Sequence, residues 1–402
     1  MNHGWLPAEL GYCSNVHPGD SLDQVIDAIE RWMSPVRDQR GLQHMAAGLW
    51  LSENSASALK NPANLDSFSA LLEDRGISLI TLNGFPYQGF HQPVVKQQVY
   101  QPDWSARERL DHTLDLATIL AGFLPVKYAG TISSVPLGYA TQWSDEKQQV
   151  AIDNLVDCLV GLQHLRQESG RQVRLCLEME PDCVLQETHQ LVEFLAHDIH
   201  PRIESRGLDK DLVANHLGVC FDICHQAVMF EDCYQSMSAL HDHGIAIGKI
   251  QVSSALQLND AADPAALAAL QQFIEPRYLH QTVCMDSDGH IHRAPDLGQA
   301  CAQFPREGRW RVHYHVPVQT ESLLSEGLVT THESIGQCLD FLADHPGLHP
   351  HIEVETYTWS ALPATLRPDD DASLVAGIRG ELDWLEQQMQ ARGLLREDLS
   401  SG

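Results

Sequence analysis

Short apolar runs alternate with longer segments of helical period along the whole chain of 402 residues. Glycine, proline or polar residues bound each run, which is typical of the strands of a parallel sheet with crossover helices between them. Such a sheet must be covered by helices on both faces or close into a barrel. The pattern predicts strands at residues 10–13, 46–51, 78–82, 126–132, 173–178, 218–222, 246–252, 312–316 and 352–355.

The number of strand–helix units favours a closed barrel of the α/β class. Eight or nine units in about 400 residues fit a (β/α)8 TIM barrel with insertions, and no glycine-rich dinucleotide fingerprint follows the first strand. We predict one TIM-barrel domain over residues 1–402, with a long loop at 84–103 and an insertion at about 258–311. Two extended runs around Asp286 and Gly289 predict an inserted β-hairpin before the last strands. Nine strands are one too many for the barrel, so one of them belongs to the insertion or to an edge.

Composition and charge exclude several kinds of partner. The chain has 26 basic and 54 acidic residues, a formal net charge of −28, which repels nucleic acid and anionic membrane surfaces. Its longest nearly apolar run, at 116–126, is far shorter than the roughly 20 residues of a membrane-spanning helix. The ten cysteines form no C-x-x-C pair, and the N-terminus lacks the features of a secretory signal. We therefore expect a cytoplasmic protein with reduced thiols and no membrane insertion.

Carboxylate side chains stand at the ends of two predicted strands. Glu178 and Glu180 end one strand, and the period-two alternation of a strand puts them on the same face. Glu353 and Glu355 do the same in the last strand. Strand ends form the active-site mouth of a parallel barrel, where an unpaired carboxylate is costly and requires a cation or a basic partner. An arginine partner is the structural alternative to a functional site.

Imidazoles accompany these carboxylates in two short motifs. Asp222 closes a strand with His225 three residues later, and His313 and His315 form an H-x-H pair in an apolar strand. Taken singly, Asp222 can merely cap the next helix, and each histidine can be an ordinary core residue. Together with the glutamates they predict one mixed oxygen–nitrogen site, which suits a divalent ion such as Mn, Zn or Co with open positions for two substrate oxygens.

Polar and aromatic residues of the loops add candidate substrate contacts. Asn15 and His17 follow the first strand and Asn83 follows the third, so all three can point into the same mouth. His17 also suits a turn that leads into a helix cap. The aromatic residues of the 84–103 loop either cover the mouth or pack against the flank of the barrel.

Several segments together carry a resemblance to a known group of barrels. They are YCSNVHPG at 12–19, LNGFPY at 82–87, VYQPDW at 99–104, CLEMEPDC at 176–183, FDICHQA at 221–227, YLHQ at 278–281 and EVETYTW at 353–359. With them the chain resembles the xylose isomerase-like TIM barrel superfamily of sugar isomerases, ketose 3-epimerases and endonuclease IV. More narrowly, it resembles the EboE-type metabolite traffic proteins of that superfamily.

The resemblance implies roles for particular residues. By motif, the metal ligands are Glu178, Asp222, His315 and Glu355, and the catalytic residues are Glu178, Glu355 and the substrate-facing His225. The implied substrate-binding residues are Asn15, His17, Asn83, Glu180, Lys249, Gln251, His313 and Glu353. If the strand at 246–252 is the seventh of the barrel, Gln251 stands where the epimerases have a metal histidine, and the H-x-H strand is the additional one.

Two main hypotheses of function follow. The first is a metal-dependent isomerase or epimerase that acts on a hydroxylated or hydroxyketone metabolite. The second is a barrel that binds such a metabolite and hands it on without turnover, with other proteins of the same pathway as partners. Endonuclease-type cleavage of a phosphodiester is a third interpretation, which the net charge argues against.

Overall fold

The computed structural model describes residues 4–125 and 128–396, and these residues form two sheets with helices around them. Val126, the first residue of one predicted strand, lies outside the described residues. The strands are β1 Leu10–Tyr12, β2 Met45–Trp50, β3 Ile77–Asn83, β4 Ala129–Ser134, β5 Gln172–Glu178, β6 Leu217–Asp222, β7 Ile247–Val252, β8 Ser254–Leu258, β9 Thr282–Met285, β10 Ile291–Ala294, β11 Arg309–Val316, β12 Ser322–Leu323, β13 Ser325–Thr330 and β14 His351–Val354.

Helices fill the connections between the strands. None of those in the described ranges combines the length and the apolar character that a bilayer crossing requires. The α-helices are α1 Leu22–Ala28, α2 Ser34–Gln39, α3 Glu53–Leu59, α4 Pro62–Asp74, α5 Arg107–Phe123, α6 Asp145–Ser169, α7 Thr188–Phe194, α8 His200–Ser205, α9 Asp211–His216, α10 Ile223–Val228, α11 Cys233–Asp242, α12 Pro264–Gln271, α13 Leu297–Gln303, α14 His332–Asp344 and α15 Asp371–Ala391.

The first sheet is a nearly closed barrel of eight parallel strands. Its order is β1-β14-β7-β6-β5-β4-β3-β2. The two outermost strands, β1 and β2, approach each other just beyond β1, where Cys13 bridges to Gly48 in parallel fashion. The predicted (β/α)8 TIM barrel is therefore confirmed, and eight of the nine predicted strands belong to it.

The second sheet is an antiparallel insertion between the last two barrel strands. Its order is β10-β9-β11-β8-β13-β12, and it starts at β8, directly after β7. The predicted hairpin is present as the antiparallel pair β9–β10, although the sheet extends on both sides of the predicted 258–311 segment. The H-x-H strand, β11, lies in this sheet, so it is the additional strand, and β7 is the seventh strand of the barrel.

A register shift in β11 orients the H-x-H motif. Val312 pairs with Leu256 of β8, but Val316 already pairs with Ser254, so β11 carries two more residues than β8 over this stretch. Such a bulge bends a strand and redirects its side chains. Because β8 begins just beyond the carboxyl end of β7, the bulged part of β11 lies at the barrel mouth.

The barrel interior below the mouth holds a buried ion pair. Lys249 Nζ lies 2.7 Å from Glu353 Oε1, and both side chains are at most 2% exposed. Burial alone would lower the pKa of Lys249, but Glu353 raises it above its ordinary value. The Glu353 carboxylate occupies the space beside Gly48 of the facing strand, where a Cβ atom would overlap it. The pair therefore depends on a glycine at this position.

We expect Gly48→Ala to destabilise the protein by about 1–3 kcal/mol, the usual cost of forcing an extra methyl group into a packed interior, because its Cβ atom would displace the Glu353 carboxylate. Urea unfolding measures the free energy of unfolding. Gly122→Ala is the matched control: a Cβ atom at this position of α5 would meet no neighbouring group within 4 Å, and alanine there should stabilise by up to about 1 kcal/mol. Equal stability of the two variants would contradict this view of the interior.

Candidate metal centre

The carboxyl ends of the barrel strands open into a cavity of about 510 Å³, including its opening to solvent. Polar side chains form its floor, and apolar and aromatic side chains form its wall. The predicted site residues that line it are Asn15, Asn83, Glu178, Glu180, His225, His313, His315 and Glu355. Asp222 lies buried among them with no exposed surface.

Three carboxylates, here called the carboxylate cluster, converge on the floor. One oxygen each of Glu178, Asp222 and Glu355 lies within 4.8 Å of the others. Glu355 Oε1 accepts hydrogen bonds from the side-chain amides of Asn15 (2.6 Å) and Asn83 (3.1 Å). Glu178 Oε2 and Asp222 Oδ2 are buried without a hydrogen-bond partner among the described residues.

The carboxylate cluster lacks a basic partner. Within residues 4–125 and 128–396, no lysine or arginine lies within 4.0 Å of its oxygens, so the arginine alternative does not hold. Burial and then repulsion from neighbouring carboxylates raise the pKa of Glu178 and of Glu355. Burial also acts to raise the pKa of Asp222, but His225 and His315 outweigh it and lower that pKa. Unpaired negative charge is costly at such depth, so the cluster suits a bound cation.

Three histidines, here called the imidazole cluster, converge beside these carboxylates. The Nε2 atoms of His225 and His313 lie 3.0 Å apart, and those of His313 and His315 lie 3.3 Å apart. The Nδ1 atom of each ring faces a carbonyl oxygen: His225 faces Met179 O, His313 faces Gln281 Oε1 and His315 faces Glu355 O, at 2.7–3.0 Å. Because a carbonyl oxygen only accepts, each Nδ1 carries the proton, and the Nε2 lone pairs of His225 and His315 both face the Nε2 lone pair of His313.

A divalent ion fits the imidazole cluster. Burial lowers the pKa of His225 to about 4 and that of His313 well below its ordinary value, so protonation does not relieve the opposed lone pairs at neutral pH. Two nitrogens bound tetrahedrally at about 2.0 Å would lie about 3.3 Å apart, close to the spacing found here. Metal-binding histidines also commonly donate their other ring N–H to a carbonyl or carboxylate, as these do.

Asp222 joins the two clusters. Its Oδ1 and Oδ2 atoms lie 3.9 Å from Nε2 of His225 and of His315, respectively. Asp222 ends β6 and caps α10 by accepting the backbone N–H of His225, so the local turn holds both side chains at the mouth. Ser253, which the sequence did not single out, donates its hydroxyl to Asp222 Oδ1 at 2.8 Å.

A short polar chain borders the imidazole cluster. Tyr100 donates its hydroxyl to Glu180 Oε1 at 2.7 Å and accepts a hydrogen bond from Gln281 Nε2 at 2.8 Å. Burial raises the pKa of Glu180 to about 8. Gln281 Oε1 also accepts a hydrogen bond from the Nδ1–H group of His313. These hydrogen-bonded side chains therefore fix the ring orientation of that histidine.

Four of the residues predicted to bind substrate lie outside the cavity lining. His17 is buried against Trp32, with ring centroids 4.4 Å apart, and its Nε2 is 2.9 Å from the Tyr12 hydroxyl. Lys249 and Glu353 form the ion pair below the mouth. Gln251 lies in β7, the barrel strand next to β6, and its Oε1 atom accepts a hydrogen bond from the Cys220 thiol of β6 at 3.1 Å. These four side chains therefore do not line this cavity, although the sequence placed them among the substrate contacts.

Aromatic rings from separate segments enclose the cavity above its floor. Phe90, Tyr278 and Tyr357 pack on one another with ring centroids 5.0–5.3 Å apart. Phe90 comes from the 84–103 loop, Tyr278 from the insertion and Tyr357 from the residues after β14. Sequence reasoning left the loop open between covering the mouth and packing on the flank, and it did not single out either tyrosine. Both tyrosines lie in segments that carry the resemblance.

Comparison with solved structures places the fold among known barrels. A D-tagatose 3-epimerase-like protein has a TM-score of 0.50 at 12% identity, over 95% of this chain and 97% of that chain. An IOLI protein with a zinc atom has a TM-score of 0.46 at 11% identity, over 96% and 97% of the two chains. A xylose isomerase domain containing protein from Salmonella typhimurium has 0.45 at 13%, over 95% and 98%. No protein-family model and no curated protein matches the sequence. At these identities the similarity establishes the fold alone.

We expect Asp222→Asn to lower the affinity for a divalent ion by about 100-fold or more, because it removes the charge of the side chain that joins both clusters. Asparagine keeps the helix cap, so folding should be retained. Equilibrium dialysis against Mn²⁺, with metal analysis of the protein, measures the affinity. Asp232→Asn is the control, since Asp232 caps α11 in the same way, away from the cavity. Undiminished retention of Mn²⁺ by Asp222→Asn would reject Asp222 as a ligand.

Proposed function

We propose that this chain is a divalent-metal-dependent enzyme of the sugar isomerase or epimerase type, acting on a hydroxylated or hydroxyketone metabolite. The observation that carries the proposal is the convergence of the carboxylate and imidazole clusters on Asp222, at the floor of a cavity that opens to solvent. The shared fold with an epimerase-like protein is consistent with this chemistry, but fold alone does not establish function.

The proposed ligands are those expected from the sequence, Glu178, Asp222, His315 and Glu355, with His225 and His313 beside them. Mixed carboxylate and imidazole donors favour Mn, Zn or Co over Ca. When bound, the ion would polarise adjacent substrate oxygens and so acidify the carbon between them. The clusters offer two adjoining positions that share Asp222, so metal analysis should find at least one ion per chain.

Proton transfer is proposed for the two glutamates of the carboxylate cluster. Glu178 Oε2 has no protein partner among the described residues and lines the cavity, so it is free to accept a proton from a substrate carbon. Glu355 is held by two amides on one oxygen, and it reaches the cavity from the other side of β6 and β7.

The test is solvent exchange at carbon. Metal-loaded protein is incubated in D2O with D-tagatose, D-fructose or 2-hydroxyacetophenone, and proton NMR follows deuterium at the carbon next to the carbonyl. We expect exchange above the protein-free rate for at least one compound, and we expect EDTA to abolish it. Glu178→Gln should slow the exchange by about 10²–10⁴-fold, the usual contribution of a general base.

Glu204→Gln is the control, because Glu204 is exposed in α8, away from the cavity. Absence of bound metal would contradict the proposal outright. Tight binding of a metabolite without any exchange would instead support the narrower role that the metabolite traffic proteins suggest, a carrier that hands its ligand on.

A further inference from the structure

We infer that the ligand of this cavity carries an apolar ring next to its metal-binding oxygens, and so is not a fully hydroxylated sugar. The inference rests on the proposed function for the polar end of the ligand. The observation that supports this inference is that the floor of the cavity is polar and its wall is apolar.

The wall is apolar and comes from three parts of the chain. Its side chains include Phe85, Phe90, Val95, Val99, Tyr278 and Tyr357. Their segments are held together over the mouth: the backbone N–H groups of Val95 and Lys96 donate to Arg277 O at 2.8 and 2.9 Å. Backbone hydrogen bonds therefore hold the apolar surface in place as part of the cavity wall.

Most polar groups in the wall are already engaged by the protein. Lys96 Nζ lies 2.5 Å from Asp296 Oδ2 and donates to Tyr278 O at 2.6 Å. The Tyr100 hydroxyl both donates to Glu180 and accepts from Gln281. The Tyr278 hydroxyl is the exception, since it is buried without a partner among the described residues. The wall can therefore offer a hydrogen bond to about one polar group of a ligand.

The apolar wall disfavours the binding of a sugar, because most of the sugar's length would contact it. A ketose bears a hydroxyl on nearly every carbon, and hydroxyls pressed against phenyl rings lose their hydrogen bonds to water without replacement. A ring in the same place buries apolar surface and stacks on Phe90 and Tyr357. The floor, in contrast, offers carboxylates, amides and imidazoles for two adjacent oxygens.

The test compares two probes that differ only in the apolar part. 2-Hydroxyacetophenone and hydroxyacetone share the hydroxyketone, but the first has a phenyl ring where the second has a methyl group. Calorimetric titration into full-length protein in MnCl2 should show at least tenfold tighter binding of 2-hydroxyacetophenone, and D-tagatose should bind more weakly than it does. Phe90→Ser should reduce the ratio of the two affinities, the phenyl preference, several-fold.

Phe123→Ser is the control, because Phe123 is a half-buried phenylalanine of α5 that does not line the cavity. If Phe90→Ser fails to fold, the inference is still tested by Val99→Ser and by the ratio of the two affinities, for 2-hydroxyacetophenone and hydroxyacetone, in the wild-type protein. Equal or tighter binding of hydroxyacetone or D-tagatose would overturn the inference, as would the absence of binding by every probe. Failure of the proposed function would show differently, as a lack of bound Mn²⁺ or of carbon exchange.

Discussion

Uncompensated negative charge buried at the barrel mouth is the constraint on which the site depends. Glu178, Asp222 and Glu355 come together with no lysine or arginine beside them in the described parts of the chain, and three neutral imidazoles direct lone pairs into the same region. Both features cost free energy when no partner is bound. A divalent cation satisfies both at once, and Asp222 lies between the two groups, 3.9 Å from the Nε2 atoms of His225 and His315.

The inserted sheet supplies what the barrel strands alone do not. The seventh barrel strand, β7, ends near Gln251, a neutral amide that is occupied by the Cys220 thiol, so it brings no imidazole to the mouth. Two histidines come instead from β11, whose bulge turns it towards the mouth. The same insertion brings Tyr278 over the cavity and binds the 84–103 loop through Arg277. The insertion thus shapes both the polar floor and the apolar wall.

Sequence reasoning reached the barrel and the nature of the site because both leave local signals. Strand–helix alternation predicts a parallel sheet, and carboxylates at strand ends predict a mouth rich in acidic groups. Of the sheet that holds β11, only the β9–β10 hairpin was predictable, because β8 pairs with β11 and β13 over 50 or more residues and the register shift leaves no pattern in the sequence. The sequence left His17 open between the mouth and a turn, and the stacking of its ring on Trp32 is a contact that turn chemistry does not reveal. Tyr278 and Tyr357 were not singled out because their rings meet Phe90 of the 84–103 loop only in the folded chain.

Anomalous X-ray scattering from a crystal soaked in Mn²⁺ tests the central claim most directly, because it locates the ion without assuming any ligand. The account predicts a strong peak at the barrel mouth, within bonding distance of a carboxylate oxygen of Asp222 and of at least one Nε2 atom of the imidazole cluster. A fully ordered mouth without such a peak, or an ion bound only elsewhere, would contradict it.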